Sequence, residues 1–334
     1  MNKKAILGIV IVVVLVAGAL LAWHFLKGQA PVGQEKVSLR LAWITGATFA
    51  GDYVALQNGY WKEAGLDVSI HPGGFEHDAI KLVASGADTF GISSGPQILQ
   101  ARASGVPVVA VGAVLPQSPI GWVSKKDSGI TKPQDFPGKK IGAQFGTHTE
   151  ITLEALCGKL GIALDSFTRI PVKFDPRPFV MGEVDVLPVY IVDQPIDLER
   201  EGIALNIIDP GDYGTALAYG NVYFTTEETL RTKPQLVRTF LAGAKRGWTF
   251  VNSSPEDAAT ILCKNAPELQ KDAILAKINA ILKLVMKGRK EYLGVFPMQL
   301  DDWQKTLDIL VQYGGLDKSV DLPKCFSNDF LTRE

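Results

Sequence analysis

Segments of strand length alternate with segments of helical spacing through most of this chain, and that alternation restricts the fold more than any other feature. KVSLRLAW sets Val37, Leu39, Leu41 and Trp43 on one side, the two-residue period of a strand. YVALQNGYWKEAGL carries Tyr53, Leu56 and Tyr60 at helical spacing and stops at Gly65. LDVSI then reads as a strand, DAIKLVASG as a helix, TFGIS as a strand, and PVVAVGAVL as an apolar run of buried-strand length. Units of this size imply parallel βαβ topology, with helices covering both faces of a sheet.

A second series of the same kind begins near Lys126. GKKIGAQ, RIPVKF, VDVLPVY and ALNIID read as strands, and EITLEALCGKLGI reads as a helix ended by Gly161. NVYFTT returns to an extended pattern, and the chain from Pro234 onward is mainly helical. The expected organisation is therefore two α/β lobes, the second inserted in the first. Lobe 1 takes residues 37–122 and 224–334, and lobe 2 takes 123–223. The chain would cross near 121–126 and return near 220–226, and two such crossings make a hinge. Ligands of open parallel sheets bind outside the carboxyl ends of the strands, so two facing edges would form a cleft.

The N-terminus speaks to compartment. Lys3 and Lys4 precede an uncharged apolar run from Ala5 to Phe25. A signal peptide has an apolar region of roughly 7–15 residues and a spanning helix about 20, so this run reads as an uncleaved signal anchor. Residues 1–30 would form the anchor and its flank, with the remainder on the extracytoplasmic side of the membrane or secreted to the periplasm. Among 334 residues the formal net charge is −1, without a basic cluster, which argues against nucleic acid as a partner. Cys157, Cys263 and Cys325 are widely spaced and contain no CxxC, so neither a disulfide framework nor a zinc site is indicated.

FGISSG, residues 90–95, fits G-x-S-x-G in a strand–turn–helix context, the setting of a hydrolase nucleophile elbow. That chemistry needs a histidine late in the chain, and no histidine follows His148. GxGxxG, GxxxxGK[ST] and HExxH are absent, so neither a cofactor nor a catalytic residue is expected. His71, Glu76, His77 and Asp78 form a His/carboxylate cluster that reads as a solvent-facing helix start rather than a metal site. The strand-ending loops carry small donors and aromatics instead: Trp43 to Phe49, Ser93 and Ser94, Gln117, Thr147 and His148, and Tyr190 with Asp193. Thr147 and Glu150 have the spacing of a capping box. Aromatic walls with a few placed donors describe a small-molecule site.

LAWITGATFAGDYVALQNGYWKEAGLDVSI, HPGGFEHDAIKLVASGADTFGIS and the stretch from Ala101 to Gly142 resemble solute-binding proteins of ABC importers, as do VYFTTEETLRTKPQLVRTFLAGAKRGW and LDDWQKTLDILVQYGGL. The nearest branch is shared by thiamin-pyrimidine precursor binding proteins and thiamin-pyrimidine synthases, with nitrate-, sulfonate- and taurine-binding proteins as cousins. The resemblance implies a two-lobed periplasmic-binding-protein fold of the second type that closes on its ligand and docks to a permease. Some family motifs differ here. Phe49 stands where pyrimidine binders carry a histidine, Ser94-Gly95-Pro96-Gln97 replaces a tyrosine–glutamine–glutamate loop, and Asp193-Gln194-Pro195 replaces asparagine–glutamate–proline, while Tyr190 is kept. The synthases' cysteine cluster is missing.

The expectation is a monomeric, non-catalytic receptor without metal or cofactor. It would trap a thiamin pyrimidine precursor or similar small heterocycle between Trp43, Phe49, Ser93, Ser94, Gln117, Thr147, His148, Tyr190 and Asp193. Its partners would be an ABC permease with a separate ATPase, and the membrane through the N-terminal helix. A riboflavin, sulfonate or nitrate receptor of the same fold, or a synthase-like enzyme, remains open at this point.

Overall fold

The computed structural model describes residues 34–173, 175–287, 289–316 and 320–331. The expected signal anchor lies outside the described residues. Among the described residues no helix is long and apolar enough to cross a membrane. Residues from Lys36 onward form one compact unit that carries two five-stranded sheets.

The strands are β1 (Glu35–Arg40), β2 (Leu66–His71), β3 (Phe90–Ser93), β4 (Val108–Gln117), β5 (Ile120–Lys125), β6 (Lys140–Ala143), β7 (Thr168–Pro171), β8 (Val186–Tyr190), β9 (Leu205–Ile208) and β10 (Ala218–Thr226). The helices are α1 (Ala50–Gln57), α2 (Tyr60–Glu63), α3 (Ala79–Ala84), α4 (Gly95–Ala103), α5 (His148–Leu160), α6 (Arg177–Val180), α7 (Gln194–Arg200), α8 (Glu227–Thr232), α9 (Pro234–Ser253), α10 (Pro255–Asn265), α11 (Lys271–Met286) and α12 (Leu300–Tyr313). The first sheet has the order β2-β1-β3-β10-β4 and the second β7-β6-β8-β5-β9. The second sheet thus repeats the order of the first, each time with a strand from elsewhere in the chain in fourth place.

Those fourth strands correct the expected parallel topology. β10 runs antiparallel to β3 and β4, and β5 runs antiparallel to β8 and β9. Both enter their sheet directly from the other sheet rather than through a helical crossover, so they arrive reversed. IGWVSK therefore forms an inner strand of the second sheet, where a crossing was expected. Its two-residue period explains why: Ile120 and Trp122 join one apolar cluster and Val123 the other, all nearly inaccessible to solvent. A strand that buries both faces must be covered on both sides. The crossings consequently fall a few residues earlier than expected, at 118–119 between β4 and β5 and at 209–217 between β9 and β10.

The two crossings touch. Ala218 pairs with Gln117, and the Ser118 amide donates to the Leu217 carbonyl at 3.0 Å. A Cβ on Gly220 would lie 2.5 Å from Pro119 Cδ and 2.9 Å from the Gln117 carbonyl oxygen, so the approach requires glycine. The neighbouring Tyr219 is buried with φ +63°, a left-handed conformation costly for a bulky residue. Its hydroxyl accepts the Gln299 amide hydrogen at 2.6 Å just before α12, which fixes it there.

Candidate functional site

A cavity of about 480 Å³ opens between the carboxyl-terminal edges of the two sheets. The loops after β1 and β3 supply its wall on the first side, and those after β6 and β8 supply the second. Brought together there are Trp43, Phe49, Ser93, Ser94, Thr147, His148, Tyr190 and Asp193. Gln117 is not among the lining residues. Its amide nitrogen donates to the Leu284 carbonyl at 2.6 Å, tying the end of β4 to α11 beside the crossing. Ending a strand put Gln117 among the sequence candidates, but this strand ends in the hinge rather than in the cleft.

The nucleophile question is answered by geometry. Ser93 Oγ lies 3.4 Å from Gln97 Oε1 and Ser94 Oγ lies 3.1 Å from the same oxygen, each donating to it. Ser94 also caps α4 by accepting the Gln97 amide hydrogen at 3.3 Å. His148 is buried, and among the described residues neither ring nitrogen has a hydrogen-bond partner, so it forms no pair with Ser93 or Ser94. Burial pushes the His148 imidazole down to about 3, which keeps it neutral in the physiological range. A neutral imidazole offers one donor and one acceptor.

α5 begins at His148 because Thr147 takes extended backbone angles and its hydroxyl accepts the Thr149 amide hydrogen at 3.2 Å. The expected capping box is displaced by one residue. Glu150 Oε2 accepts the amide hydrogen of Gly146, at 2.6 Å, rather than that of Thr147. Gly146 has φ +73°, and this left-handed turn brings its N–H round to the carboxylate. The amides at this helix start are thus partly occupied by the protein's own oxygens, one of them anionic.

Charge in the wall comes from Asp78, Lys81, Asp193, Asp197 and Lys277: three carboxylates against two ammoniums. Lys81 is paired with Asp78 at 3.9 Å. Lys277 Nζ, from α11, lies 2.6 Å from Asp193 Oδ1 and 2.5 Å from Asp197 Oδ2. Burial opposes the Lys277 charge, but the two carboxylates outweigh it and hold the ammonium above the ordinary lysine range. Burial also pushes Asp193 up against the pull of Lys277, and the neighbouring Asp197 carboxylate adds to the rise. Elsewhere, Asp78 caps α3, and among the described residues no group of three or more His, Cys, Asp or Glu side chains is gathered that could hold a metal.

The NMT1/THI5-like family model matches residues 47–258, a stretch that includes most of this cavity. The chain belongs to the NMT1/THI5-like family. It is 25% identical over 303 residues to a 4-amino-5-hydroxymethyl-2-methylpyrimidine phosphate synthase of Legionella pneumophila, covering 89% of this chain and 93% of the relative. It is 25% identical to the riboflavin-binding protein RibY of Chloroflexus aurantiacus, covering 89% and 86%. To a formylaminopyrimidine-binding protein of Halalkalibacterium halodurans it is 26% identical, covering 88% and 90%. The alkanesulfonate-binding protein SsuA of Xanthomonas axonopodis pv. citri, solved with MOPS, superposes with a TM-score of 0.67 at 14% identity, covering 87% of this chain and 98% of that one. The fold is thus that of the periplasmic binding proteins of ABC importers.

This NMT1/THI5-like chain also brings to its cavity residues that reading the sequence missed. Phe75 follows β2 and meets Trp43 edge-on, with ring centroids 5.0 Å apart. Phe145 follows β6 on the opposite wall, with the Arg169 guanidinium 5.4 Å from its ring centroid. Each sits in a strand-ending loop, HPGGF and AQFGT, so the rule that found the other loops could have found both. Lys277 had a subtler signal. It interrupts the apolar stripe Ile274, Ile278 and Ile281 of α11, and a lysine on a buried face needs partners.

Proposed function

We propose that this protein is an extracytoplasmic solute-binding receptor of an ABC importer, held to the membrane by its N-terminal apolar run and taking a thiamin pyrimidine precursor or a similar small heterocycle. One observation carries the reading. The cavity presents aromatic rings from both sides, Trp43 and Phe75 facing Phe145 and Tyr190, while both cations in its wall are engaged by carboxylates. Flat rings take a planar ligand by stacking, and acceptor carboxylates with a neutral imidazole suit amino and ring N–H groups. A sulfonate or nitrate would meet a wall with an excess of one negative charge. The formylaminopyrimidine- and riboflavin-binding relatives support a heterocycle, and the synthase relative is the reason to test for catalysis.

The cleft's lysines do not suit a Schiff-base cofactor. Lys81 extends into solvent with its side chain 84% exposed, and Lys277 is held charged where an attacking amine must be neutral. The test is a thermal-shift panel on the full chain in detergent. It contains 4-amino-5-hydroxymethyl-2-methylpyrimidine, a formylaminopyrimidine, riboflavin, MOPS and nitrate. At about 100 times its dissociation constant a ligand adds about 2.7 kcal/mol of stability, which raises the melting temperature by several degrees. A shift with a pyrimidine or riboflavin is the expected result. A shift only with MOPS or nitrate would overturn the heterocycle reading.

A further inference from the structure

Lys277 belongs to one half of the molecule and its partners to the other. Its helix, α11, buries Ile274, Ile278, Ile281 and Val285 in the apolar core of the first sheet. α7 buries Leu198 in a core of the second. Between these helices stand Lys277, Asp193 and Asp197 at 2.5–2.6 Å, and farther along Arg200 Nη2 reaches Asp272 Oδ2 at 2.5 Å. Lys277 is buried and lines the cavity, whereas Arg200 and Asp272 are largely exposed. The other end of α11 is bound to the crossing, through the Gln117 amide on the Leu284 carbonyl. One helix therefore connects the hinge, the cavity wall and the opposite half.

We propose that Lys277 is the positioning residue of this cleft: from the first half it fixes the carboxylates of Asp193 and Asp197 on the second, and so keeps the two halves closed over the cavity. Lys277 is buried and Asp193 largely so, and that pair is little screened, so removing the lysine leaves Asp193 short of compensation, while the half-exposed Asp197 is held less firmly. Opening the cleft is the escape from that cost, because it returns Asp193 more fully to water. The exposed Arg200–Asp272 pair contributes less, being screened by solvent. This proposal deepens the receptor reading and rests on it for its biological meaning, but its test needs no ligand. A silent ligand panel and a failed closure experiment are therefore separate results.

The experiment measures the distance between spin labels on the two halves by double electron–electron resonance. The full chain is used in detergent, with Cys263→Ser removing the partly exposed native thiol and labels placed at Leu56→Cys and Met181→Cys. Truncating the buried member of a charge cluster whose carboxylates keep part of their surface in water lowers the closed population relative to the open one by roughly tenfold, between the exposed and the fully buried cases. Lys277→Met is therefore expected to lengthen and broaden the distribution, while Lys277→Arg keeps it short. The exchange Lys277→Asp with Asp197→Lys is expected to restore much of the short distance. Melting curves of each variant show that the labelled protein is folded, and a change of distance at unchanged melting separates positioning from a merely structural role. A distribution in the folded protein that Lys277→Met leaves unchanged, or that Lys277→Arg widens equally, overturns the proposal.

Discussion

Asp52, in the first turn of α1, is inaccessible to solvent and faces Tyr223 of β10 and, behind it, Trp248 of α9. The Tyr223 hydroxyl donates to its Oδ1 at 2.5 Å, and Trp248 Nε1 donates to the same Tyr223 oxygen at 3.0 Å. Its Oδ2 has no partner. Burial raises the carboxyl from an ordinary 3.8 to about 7, with the Tyr223 hydrogen bond opposing the rise. The folded protein therefore binds this proton more tightly than the unfolded chain by about 4 kcal/mol. Because the folded value is the higher one, stability is greatest below the unfolded value, falls as pH rises from about 4 through about 7, and levels off above. Asp52→Asn keeps an acceptor for Tyr223 and cannot titrate, so any cost of burying its amide is the same at every pH. Urea unfolding of parent and variant at pH 5 and pH 8 isolates the effect. The stability of Asp52→Asn relative to the parent should rise by about 3 kcal/mol between those values, since about two of the pH units in the window are crossed. Other groups titrate equally in both proteins and cancel. A difference that stays constant, or moves the other way, would refute a neutral buried Asp52.

Three further outcomes are expected. Gly220→Ala drives a Cβ against Pro119 and the Gln117 carbonyl, and should cost about 1–3 kcal/mol in urea unfolding; an unmoved midpoint would show that the crossings are not held in this contact. Phe145 is 45% exposed, so Phe145→Ala should change stability by less than about 0.5 kcal/mol. It should also weaken whichever heterocycle shifts the melting temperature by about tenfold in calorimetry, and undiminished affinity would remove that ring from the site. His148 should stay neutral from pH 5 to pH 8 in nitrogen–proton correlation spectra of the histidine rings, with its tautomer signals unmoved, because burial holds it near 3; a midpoint near 6.5 would place the ring in water.

Period and punctuation made most elements legible. Val37 and Leu39, the LDVSI segment, all but the first residue of the TFGIS segment and the long run into Gln117 stand in strands, and Gly161 does end α5. The loops that follow β1, β3, β6 and β8 were recognisable as cleft-forming because turn residues and aromatics cluster at strand ends, and these loops carry most of the cavity's candidate residues. IGWVSK escaped because a short strand buried on both faces resembles the apolar approach to a crossing. Gln117 was misplaced for the related reason that a strand end can face a cleft or a hinge with the same local sequence. The glycine at 220 marks a close approach that no period announces.

Local chemistry decides what a residue's near neighbours must be: a two-residue apolar period makes a strand, a threonine before a helical run makes a cap, and an extended alternation of both makes two α/β layers. Such rules reach only a few residues along the chain. Which way β5 and β10 run, and that Lys277 finds Asp193 and Asp197 about eighty positions away, depend on how two sheets share two crossings. A lysine on the apolar stripe of α11 requires that some anion meet it. Only the tertiary structure could say that the anions come from the other half of the molecule, because desolvation makes the partner obligatory while the topology chooses it.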